Sequence, residues 1–471
     1  MHLSPKHPRA RAQRILSYVL IVIFVSIGTF ILTRYTQGFE LDPGTGSLVQ
    51  NGLVLVESEP VESAVIVDDQ DIGERTSSRL TLPIGNHTIK LQADGYREWS
   101  KTFQIIGSDL VWMNYPLLIP EKIATNSVAV FGTQPVTAFS RNRKILATGQ
   151  PSSKIISIFN VNGSTVSESE LNLPEAITNE LGAATLTELT FAADDQFLLA
   201  QFSQDSANTY VFINREDIGS SFIMDKSYGL DFNKVQFDSG DADQMYALAN
   251  NSLYRLKRTN PLSSNLVAEN IIAFRSDAKF LSVVQKTTQN GREVNKFGLI
   301  DDRDSLTFLS SELSAGDYTI VHGSYDGDES VAISTSDGAI VFSNIGKTQN
   351  IKTKRVKILN SKLSFSGNGR FLLIREGENC VVLDFEFNKR YSFKLSGTVQ
   401  SETRWVDDSH ISVVVDGMAK IIEFDGANSQ NIIAADKAMA PFSNAKTDAF
   451  FTIGLAKERY TLQQSSLVNE K

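Results

Sequence analysis

Cysteine is almost absent from this chain of 471 residues, with Cys380 as the single example. One thiol cannot form an internal disulfide, so packing alone has to stabilise the folded part of the chain. Cys380 opens the apolar run Cys380-Val381-Val382-Leu383, which is typical of a buried strand. We therefore expect a small buried residue at this position and not a reactive thiol.

Histidine is also scarce, and the motifs of common catalytic and metal sites are missing. None of the five histidines (His2, His7, His87, His322 and His410) has the spacing of a zinc site. No G-x-S-x-G, P-loop or G-x-G-x-x-G motif occurs. Two S-x-x-K matches, Ser276–Lys279 and Ser443–Lys446, lie in polar turns and lack partner elements. We predict no catalytic, cofactor-binding or metal-ligating residue, and no cofactor.

Positive charge is scarce outside the start of the chain. There are 45 basic and 54 acidic residues, for a net charge of −9. Residues 1–34 hold five basic residues and no acidic one, so the remainder is more acidic than the whole. Binding to phosphate backbones or to anionic lipid surfaces needs a basic footprint. We therefore expect no nucleic-acid partner.

One long uncharged run, Ile15–Thr33, indicates a transmembrane helix over residues 15–34. Nineteen helical residues span about 28 Å, close to the roughly 30 Å of a bilayer's hydrocarbon core. Four basic residues precede the run: Lys6, Arg9, Arg11 and Arg14. The positive-inside rule then predicts that residues 1–14 are an unstructured cytoplasmic tail and that the bulk of the chain is extracytoplasmic.

A cleaved signal peptide is the alternative to this anchor. Signal peptides share the basic start, but their apolar region is shorter and ends at a small-x-small site. Only Ser26-Ile27-Gly28 approaches such a site. We therefore expect a single-pass protein of the cell membrane, anchored by one N-terminal helix.

Residues 35–52 are predicted to be a juxtamembrane linker. The stretch Asp42–Ser47 is dense in turn formers. Phe39-Glu40-Leu41 before it and Leu48-Val49 after it suggest a small hairpin, while a plain spacer is the alternative.

Residues 53–120 are predicted to be a small antiparallel β-sandwich. Short apolar or alternating runs recur between turn formers: Leu53–Val56, Ala64–Val67, Leu80–Leu82, His87–Ala93 and Trp99–Ile105. Asp68–Gly73 is interpreted as a turn between two of them. Its acidic residues lack the spacing of a calcium loop, so solvated charges are the simpler interpretation.

This stretch resembles the PEGA domain of bacterial and archaeal envelope proteins. The matching residues are Pro60, Ala64, Val65, Val67, Asp68, Gly73, Leu80, Leu82, Pro83, Gly85, His87, Ile89, Gly95, Tyr96 and Trp99. The sequence departs from the family where Glu62-Ser63 and Asp69 replace usual glycines. The resemblance implies a β-sandwich with a non-catalytic surface or adhesion role.

Residues 126–467 repeat and are predicted to form a β-propeller. An aromatic residue, a polar turn and two apolar strands recur about every 43 residues, a spacing typical of four-stranded blades. The units begin near Phe139, Phe191, Phe237, Phe274, Tyr325, Phe365, Trp405 and Phe442. Seven or eight blades are compatible with this pattern, because three units are weak. Val128–Phe131 lacks a partner and is predicted to close the ring as the outer strand of the last blade.

The "aromatic-Ser-x-x-Gly" turns are loosely similar to those of propellers of the Tol-translocation and WD-repeat kind, which implies shape alone. Propeller ligands usually bind at the mouth of the central channel. The candidate loops there are Ser203–Asn208, Lys286–Asn295 and Arg375–Asn379, with Arg292 and Arg375 among their residues. Glu175–Leu181 is predicted to be a helical turn. The many Asp residues of the turns are interpreted as solvated charges.

The whole chain is thus predicted to be all-β apart from its N-terminal helix. We expect an extracytoplasmic binding or scaffold protein of the cell envelope, whose propeller engages a protein or a cell-wall polymer. Two alternatives remain open: a ligand-sensing ectodomain that works with a membrane partner, and a propeller hydrolase or lyase acting on glycans or peptides.

Overall fold

The structure is a computed structural model. It describes residues 8–36, 39–41, 47–107, 109–163, 165–258, 262–277, 279–310, 312–346, 351–436, 439–456 and 458–469. Contacts within the chain divide it into two compact units, Met1–Lys122 and Ile123–Lys471. They are called the N-terminal unit and the propeller unit below.

The N-terminal unit begins with helix α1, Pro8–Thr36, which has proline at its first position, where no hydrogen bond is lost. Its residues Ile15–Thr36 form an apolar helix that is long enough to cross a membrane. The predicted tail, residues 1–14, is wrong in part, because residues 8–14 are helical. Ala, Arg and Gln favour helix and continue the turns of the apolar segment without a breaker. Residues 1–7 lie outside the described residues.

Two four-stranded sheets follow α1 and form the sandwich. The strands are β1 Phe39–Leu41, β2 Leu48–Val56, β3 Ala64–Val67, β4 Gln70–Arg75, β5 Ser78–Pro83, β6 Gly85–Gln92, β7 Trp99–Ile105 and β8 Leu110–Met113. One sheet has the order β1-β2-β5, with β8 also paired to β2, and the other has the order β4-β3-β6-β7. The alternating apolar residues form the core, which includes Val54, Val65, Ile89, Leu91 and Trp99. The predicted sandwich is confirmed.

The hairpin interpretation of the juxtamembrane segment is also confirmed. β1 pairs antiparallel with β2, with Phe39 opposite Gln50. The turn between them, residues 42–46, lies outside the described residues. Because β2 begins at Leu48, the end of the predicted linker belongs to the first sheet of the sandwich.

Two strands of the sandwich have no clear signal in the sequence. The predicted turn Asp68–Gly73 turns only at Asp68 and Asp69, whose φ angles are 49° and 64°, and β4 begins at Gln70. All β4 residues are exposed, so no apolar alternation marks the strand. β8 runs parallel to β2, with Leu53 opposite Leu110, so the sandwich is not wholly antiparallel. A parallel partner distant in sequence leaves no local pattern.

The propeller unit contains eight four-stranded sheets among its described residues. Their strands, in chain order, are β9 Thr125–Phe131; β10 Val136–Phe139, β11 Ile145–Gly149, β12 Ile155–Asn160, β13 Ser167–Asn172; β14 Thr185–Phe191, β15 Phe197–Gln204, β16 Ala207–Asn214, β17 Phe222–Ile223; β18 Lys234–Phe237, β19 Gln244–Ala249, β20 Ser252–Lys257, β21 Ser263–Ala268; β22 Ile271–Ser276, β23 Leu281–Gln289, β24 Arg292–Ile300, β25 Leu306–Phe308; β26 Ile320–Tyr325, β27 Asp328–Thr335, β28 Gly338–Ile345, β29 Lys352–Val356; β30 Lys362–Phe365, β31 Phe371–Glu376, β32 Asn379–Asp384, β33 Lys389–Lys394; β34 Arg404–Trp405, β35 His410–Val415, β36 Met418–Glu423, β37 Gln430–Ala434; and β38 Phe442–Ser443, β39 Ala449–Ala456, β40 Arg459–Ser466. Short helices α2, Glu175–Leu181, and α3, Met224–Tyr228, lie in the connections, and α2 confirms the predicted helical turn.

Each sheet is one blade. First strands of consecutive blades contact one another, namely β10 with β14, β18 with β22, β22 with β26, β26 with β30 and β30 with β34. Apolar clusters join consecutive blades, for example blades 1 and 2 and blades 2 and 3. The rings of Phe371 and Trp405 stack between blades 6 and 7, with centroids 6.0 Å apart. Packing of this kind buries both apolar faces of every blade, which a lone blade would expose to water.

The ring closes as predicted. β9 is the outermost strand of blade 8 and pairs antiparallel with β40, with Phe131 opposite Tyr460. Phe131 packs in a cluster that also holds Phe159 of blade 1 and Phe442 of blade 8. The described residues of the propeller unit therefore make eight blades, the larger of the two counts that the repeat allowed.

Candidate functional site

The first strand of each blade forms the wall of a central channel. Along β14 and β18, buried residues alternate with exposed or half-buried ones. On β14, β18 and β22 the exposed charged residues are Glu188, Lys234 and Arg275. These three side chains line one cavity of about 590 Å³, which also receives Gln236 and the His322 ring. The cavity brings together residues of blades 2 to 5 that are far apart in the sequence.

The cations of this cavity are held in an unfavourable environment. Burial by the surrounding strands lowers the pKa of Lys234, and the nearby charge of Arg275 lowers it further, while Glu188 partly offsets both. Burial also lowers the pKa of the Arg275 guanidinium, against the opposing effect of Asp277. Both side chains nevertheless remain open to water. Basic and acidic side chains both line this part of the channel: Arg141, Lys234 and Arg275 together with Glu188, Asp238 and Asp277.

Carboxylates in the turns after the first strands link neighbouring blades. Asp195 of blade 2 accepts hydrogen bonds from the backbone N–H of Arg141, at 3.1 Å, and from the Asn142 side chain, both in blade 1. Asp408 of blade 7 accepts from the N–H of Asn368 in blade 6 at 2.8 Å. The interpretation of the turn aspartates as solvated charges is therefore wrong for Asp195 and Asp408. The packing of consecutive blades places each of these carboxylates beside polar groups of the preceding blade.

Asp238 of blade 3 is occupied in a similar way. Its Oδ1 accepts from the N–H of Gly240 at 2.7 Å, and its Oδ2 accepts from the side chains of Gln244, at 3.0 Å, and Ser276, at 3.3 Å. Both oxygens are therefore bound within the protein, although Asp238 also borders the cavity. Of the carboxylates beside the cavity, Glu188 is the one that acts on Lys234.

His322 lies on β26 and is buried against blade 4. Its Nε2 is 2.8 Å from the Ser282 Oγ, and its Nδ1 is 3.4 Å from the Asp277 Oδ2. Burial lowers the pKa of His322, in spite of the neighbouring Asp277 carboxylate. At neutral pH the ring is therefore uncharged and serves as a link between blades 4 and 5.

The other described histidines are also paired. His410 Nδ1 is 2.8 Å from Asp407 Oδ2, and His87 Nδ1 is 2.7 Å from Asp68 Oδ2. Burial by itself would raise the pKa of Asp407, but the contact with His410 and two backbone N–H donors lower it overall. A backbone N–H of Thr88 and the His87 ring lower the pKa of Asp68. His2 and His7 lie outside the described residues.

The acidic turn of the sandwich is exposed, as predicted, and its carboxylates also make bonds within the sandwich. Lys90 Nζ is 2.5 Å from Asp69 Oδ1, and Asp71 accepts the N–H of Gly73 at 2.9 Å. Together with the Asp68–His87 contact, these bonds give each of the three turn aspartates a partner in the sandwich. Among the described residues no group of three or more His, Cys, Asp or Glu side chains is arranged to hold a metal ion.

The two S-x-x-K matches have separate partners. Ser276 donates to Asp238, and Lys279 pairs with Glu329 of blade 5. Ser443 Oγ donates to the Val406 carbonyl. Ala278 lies outside the described residues. Cys380 is buried on β32, and burial raises the pKa of its thiol to about 12, which confirms the structural interpretation.

The three candidate binding loops are tight hairpin turns and not open loops. Lys286–Asn295 is almost entirely strand, and only Asn290 and Gly291 turn, with φ angles of 52° and 75°. The Asn-Gly pair is the strongest short-range hairpin signal, and it marks this turn in the sequence. Ser203–Asn208 likewise turns only at Asp205 and Ser206, both with positive φ.

The third of these segments, Arg375–Asn379, turns at Gly377 and Glu378. The two arginines expected in these loops are both paired: Arg292 with Glu312 at 2.8 Å, and Arg375 with Glu402 at 3.4 Å. Arg292 makes an exposed ion pair, while Arg375 is buried. The cationic positions of the channel, Lys234 and Arg275, were missed because both lie on strands whose neighbours are known only from the ring.

Comparisons with known proteins agree with these architectures. Residues 51–119 match the family described as "PEGA domain" and form such a domain. Similar solved structures are β-propellers. The C-terminal WD40 domain of Sif2 has a TM-score of 0.50 at 10% identity, over 73% of this chain and 99% of that chain. The Cps50 (Swd1) β-propeller domain of Myceliophteria thermophila has a TM-score of 0.43 at 12% identity, over 74% of this chain and 100% of that chain.

Dihydro-heme d1 dehydrogenase NirN in complex with DHE is a further similar structure, with a TM-score of 0.45 at 10% identity over 81% of this chain and 75% of that chain. A search of curated proteins gave no match. Identities this low show a shared fold alone. The chain is a PEGA-domain β-propeller protein with an N-terminal apolar helix.

Proposed function

We propose that this protein is a non-enzymatic binding scaffold of the cell envelope. α1 tethers it to the membrane, and the PEGA domain and the propeller lie on the extracytoplasmic side. The propeller binds another protein or a cell-wall polymer.

The exposed apolar surface of α1 supports the anchor. No other described part of the N-terminal unit buries the apolar side chains of Ile15–Thr36, so in water a predominantly apolar helix would be exposed. Arg34 lies over the rings of Phe30 and Phe39, at 5.2 and 5.1 Å, which places a cation at the end of the apolar segment. A lipid bilayer is the environment that suits such a helix, and the basic residues before it favour a cytoplasmic N-terminus.

The observation that carries the scaffold proposal is the use of the turn carboxylates as links between blades. Asp195, Asp238 and Asp408 each bind groups of a neighbouring blade, which holds the ring in one arrangement. Glycoside hydrolysis needs two free carboxylates about 5–9.5 Å apart. Asp238 is already bound through both oxygens, and Asp277 lies against a buried histidine ring. Among the described residues that line the cavity, Glu188 therefore lacks a second free carboxylate. A rigid ring with occupied acids suits binding better than acid–base chemistry.

Sidedness can be tested by labelling with a membrane-impermeant maleimide. Leu266 is an exposed residue on β21, and Ser4 belongs to the tail. Each is replaced by cysteine in a Cys380→Ser background. We expect label on the Leu266→Cys variant in right-side-out membrane vesicles and on the Ser4→Cys variant only in inverted vesicles. The reverse pattern, or no membrane association, would refute the proposed topology.

Binding can be tested with the full chain in detergent. A photo-crosslinking residue is placed at Leu266, on the exposed strand β21, or at Gln236, in the channel, and adducts from solubilised envelopes are identified. Co-sedimentation with purified cell-wall polymer is measured in parallel. A specific adduct or co-sedimentation supports the scaffold. Absence of both would contradict it. Turnover of added glycans or peptides, abolished by Glu188→Gln, would instead favour the hydrolase or lyase.

A further inference from the structure

Lys234 and Arg275 are two cations without a protein partner on adjacent strands of the channel wall. Both line the cavity of about 590 Å³, and neither makes a hydrogen bond or ion pair with the part of the chain that the structure describes. The Lys234 Nζ lies over the Phe274 ring, 5.4 Å from its centroid, and Glu188 acts on it without a direct ion pair. Other arginines of the propeller do pair with a carboxylate: Arg255 with Asp304 at 2.5 Å, and Arg370 with Asp384 at 3.0 Å.

The same cavity contains polar atoms with no partner. The Gln236 Oε1 and the Ser239 Oγ are both buried, and neither has a hydrogen-bond partner among the described residues. Gln236 lies on β18 two residues after Lys234, so both side chains are directed to the same side of the strand. Buried polar atoms are nearly always hydrogen-bonded in folded proteins, and an orphaned pair in one cavity indicates a ligand or ordered water.

Charge decides which ligand fits. Two like charges in a confined cavity repel each other. Neither cation makes a direct ion pair with a described residue, although Glu188 acts on Lys234 and Asp277 acts on Arg275. An anion placed between the two cations would remove this repulsion and accept charge-assisted hydrogen bonds from both. The Ser239 hydroxyl would supply a further donor to the oxygens of such an anion. The Gln236 Oε1 is an acceptor and would bind a protonated oxygen of the ligand or a water molecule beside it. The volume lies within the range of about 300–1,000 Å³ that ligand pockets occupy.

We propose that this part of the channel, named the cationic channel site and formed by Lys234, Arg275, Gln236 and Ser239, binds an anionic group, either a carboxylate or a phosphate. The group lies between the Lys234 ammonium and the Arg275 guanidinium. The proposal is independent of which macromolecule the faces of the propeller bind, since it concerns an anion that enters the channel.

The test compares the full chain in a non-ionic detergent with two variants. Lys234→Gln/Arg275→Gln removes both cations of the site. Lys362→Gln is the matched control, because Lys362 also lies on a first strand, β30, but is already paired with Glu402. Binding of inorganic phosphate and of citrate is measured by isothermal titration calorimetry at constant ionic strength, with chloride as the background anion. The two probes distinguish a phosphate from a carboxylate ligand.

We expect the parent chain and the Lys362→Gln variant to bind at least one probe with similar affinity. The double variant should bind it at least about tenfold more weakly, since each charge-assisted hydrogen bond is worth a factor of about ten or more. Absence of binding by the parent chain, or an equal loss in the control, would overturn the proposal.

Thermal unfolding gives a second readout that does not depend on the variant's affinity. Without an added anion, the double variant should unfold at the same or a higher temperature than the parent, because the repulsion has been removed. The bound probe should raise the unfolding temperature of the parent and leave that of the double variant unchanged. A double variant that is less stable than the parent in the absence of anions would show that the cations serve the fold and would contradict the proposed site.

Discussion

The closure of the propeller by β9 leads to a prediction about Phe131. Its side chain is 7% exposed and packs in the cluster that joins blade 8 to blade 1. Truncating a buried phenylalanine to alanine typically costs about 3–5 kcal/mol, as lost transfer free energy plus the cavity left behind. Phe131 lies at the end of β9, where some relaxation is possible, so we expect Phe131→Ala to lower the free energy of opening this strand by about 3–4 kcal/mol.

Val130 provides the matched control. It is the neighbouring residue on the same strand, keeps the same ladder with β40, and is 54% exposed. Val130→Ala should change the opening free energy by about 0.5 kcal/mol or less, as surface substitutions usually do. Comparison of the two variants therefore separates the contribution of the buried Phe131 ring from that of the hydrogen bonds that pair β9 with β40.

Hydrogen exchange with mass spectrometry on the full chain in detergent measures this opening locally. A change of about 3–4 kcal/mol corresponds to roughly a hundredfold or greater increase in exchange rate, at about 1.4 kcal/mol per factor of ten. The increase should appear in peptides that cover β9 and β40 and be absent from those of β18–β21 in blade 3. Equal exchange in the Phe131→Ala and Val130→Ala variants would refute the view that the buried ring secures the closure.

Three further predictions concern single residues. Burial lowers the pKa of His322 from 6.5, so below about pH 6.5 the unfolded chain binds a proton that the folded chain does not, and stability is lost as the pH falls. In the His322→Asn variant, the free energy of unfolding measured by urea denaturation should therefore fall less steeply between about pH 7 and 5. An unchanged slope would contradict the lowered pKa of His322. Cys380 should resist maleimide in the folded protein and react after denaturation, because burial raises its pKa to about 12; rapid labelling of the native chain would show that β32 is accessible. Gly369→Ala should destabilise the propeller by about 2 kcal/mol or more in thermal unfolding, because φ is +75° and a Cβ would lie 2.3 Å from the Ser324 carbonyl oxygen of blade 5. Gly377→Ala, where φ is +55° and the space around the Cβ is open, should cost about 1 kcal/mol. Equal losses in the two variants would show that the contact with blade 5 is unimportant.

Local sequence patterns were sufficient for most of the fold. Alternating apolar residues marked strands such as His87–Ala93, and the recurring aromatic units marked the blades, because burial on one face imposes a period of two wherever a strand lies. The unpaired run Val128–Phe131 even indicated how the ring closes. The uncharged run Ile15–Thr33 marked the apolar helix for the equally local reason of length and composition.

The features that the sequence did not reveal depend on contacts between distant segments. β4 has no buried residue to mark it, and β8 pairs in parallel with a strand that lies far away along the chain. The blade count was ambiguous until each weak unit was seen to form four hydrogen-bonded strands.

The type of each segment could be predicted from the amino-acid sequence alone: one apolar helix, a PEGA sandwich, and a repeating array of strands around which a ring had to form. Which side chains meet depends on the folded ring. Lys234 and Arg275 belong to different blades, and so do Asp195 and Asn142. Local pattern reports whether a residue is buried, because burial depends on the faces of its own strand. It does not report the neighbour across a blade interface or across the channel, because that neighbour is set by the closure of the whole ring.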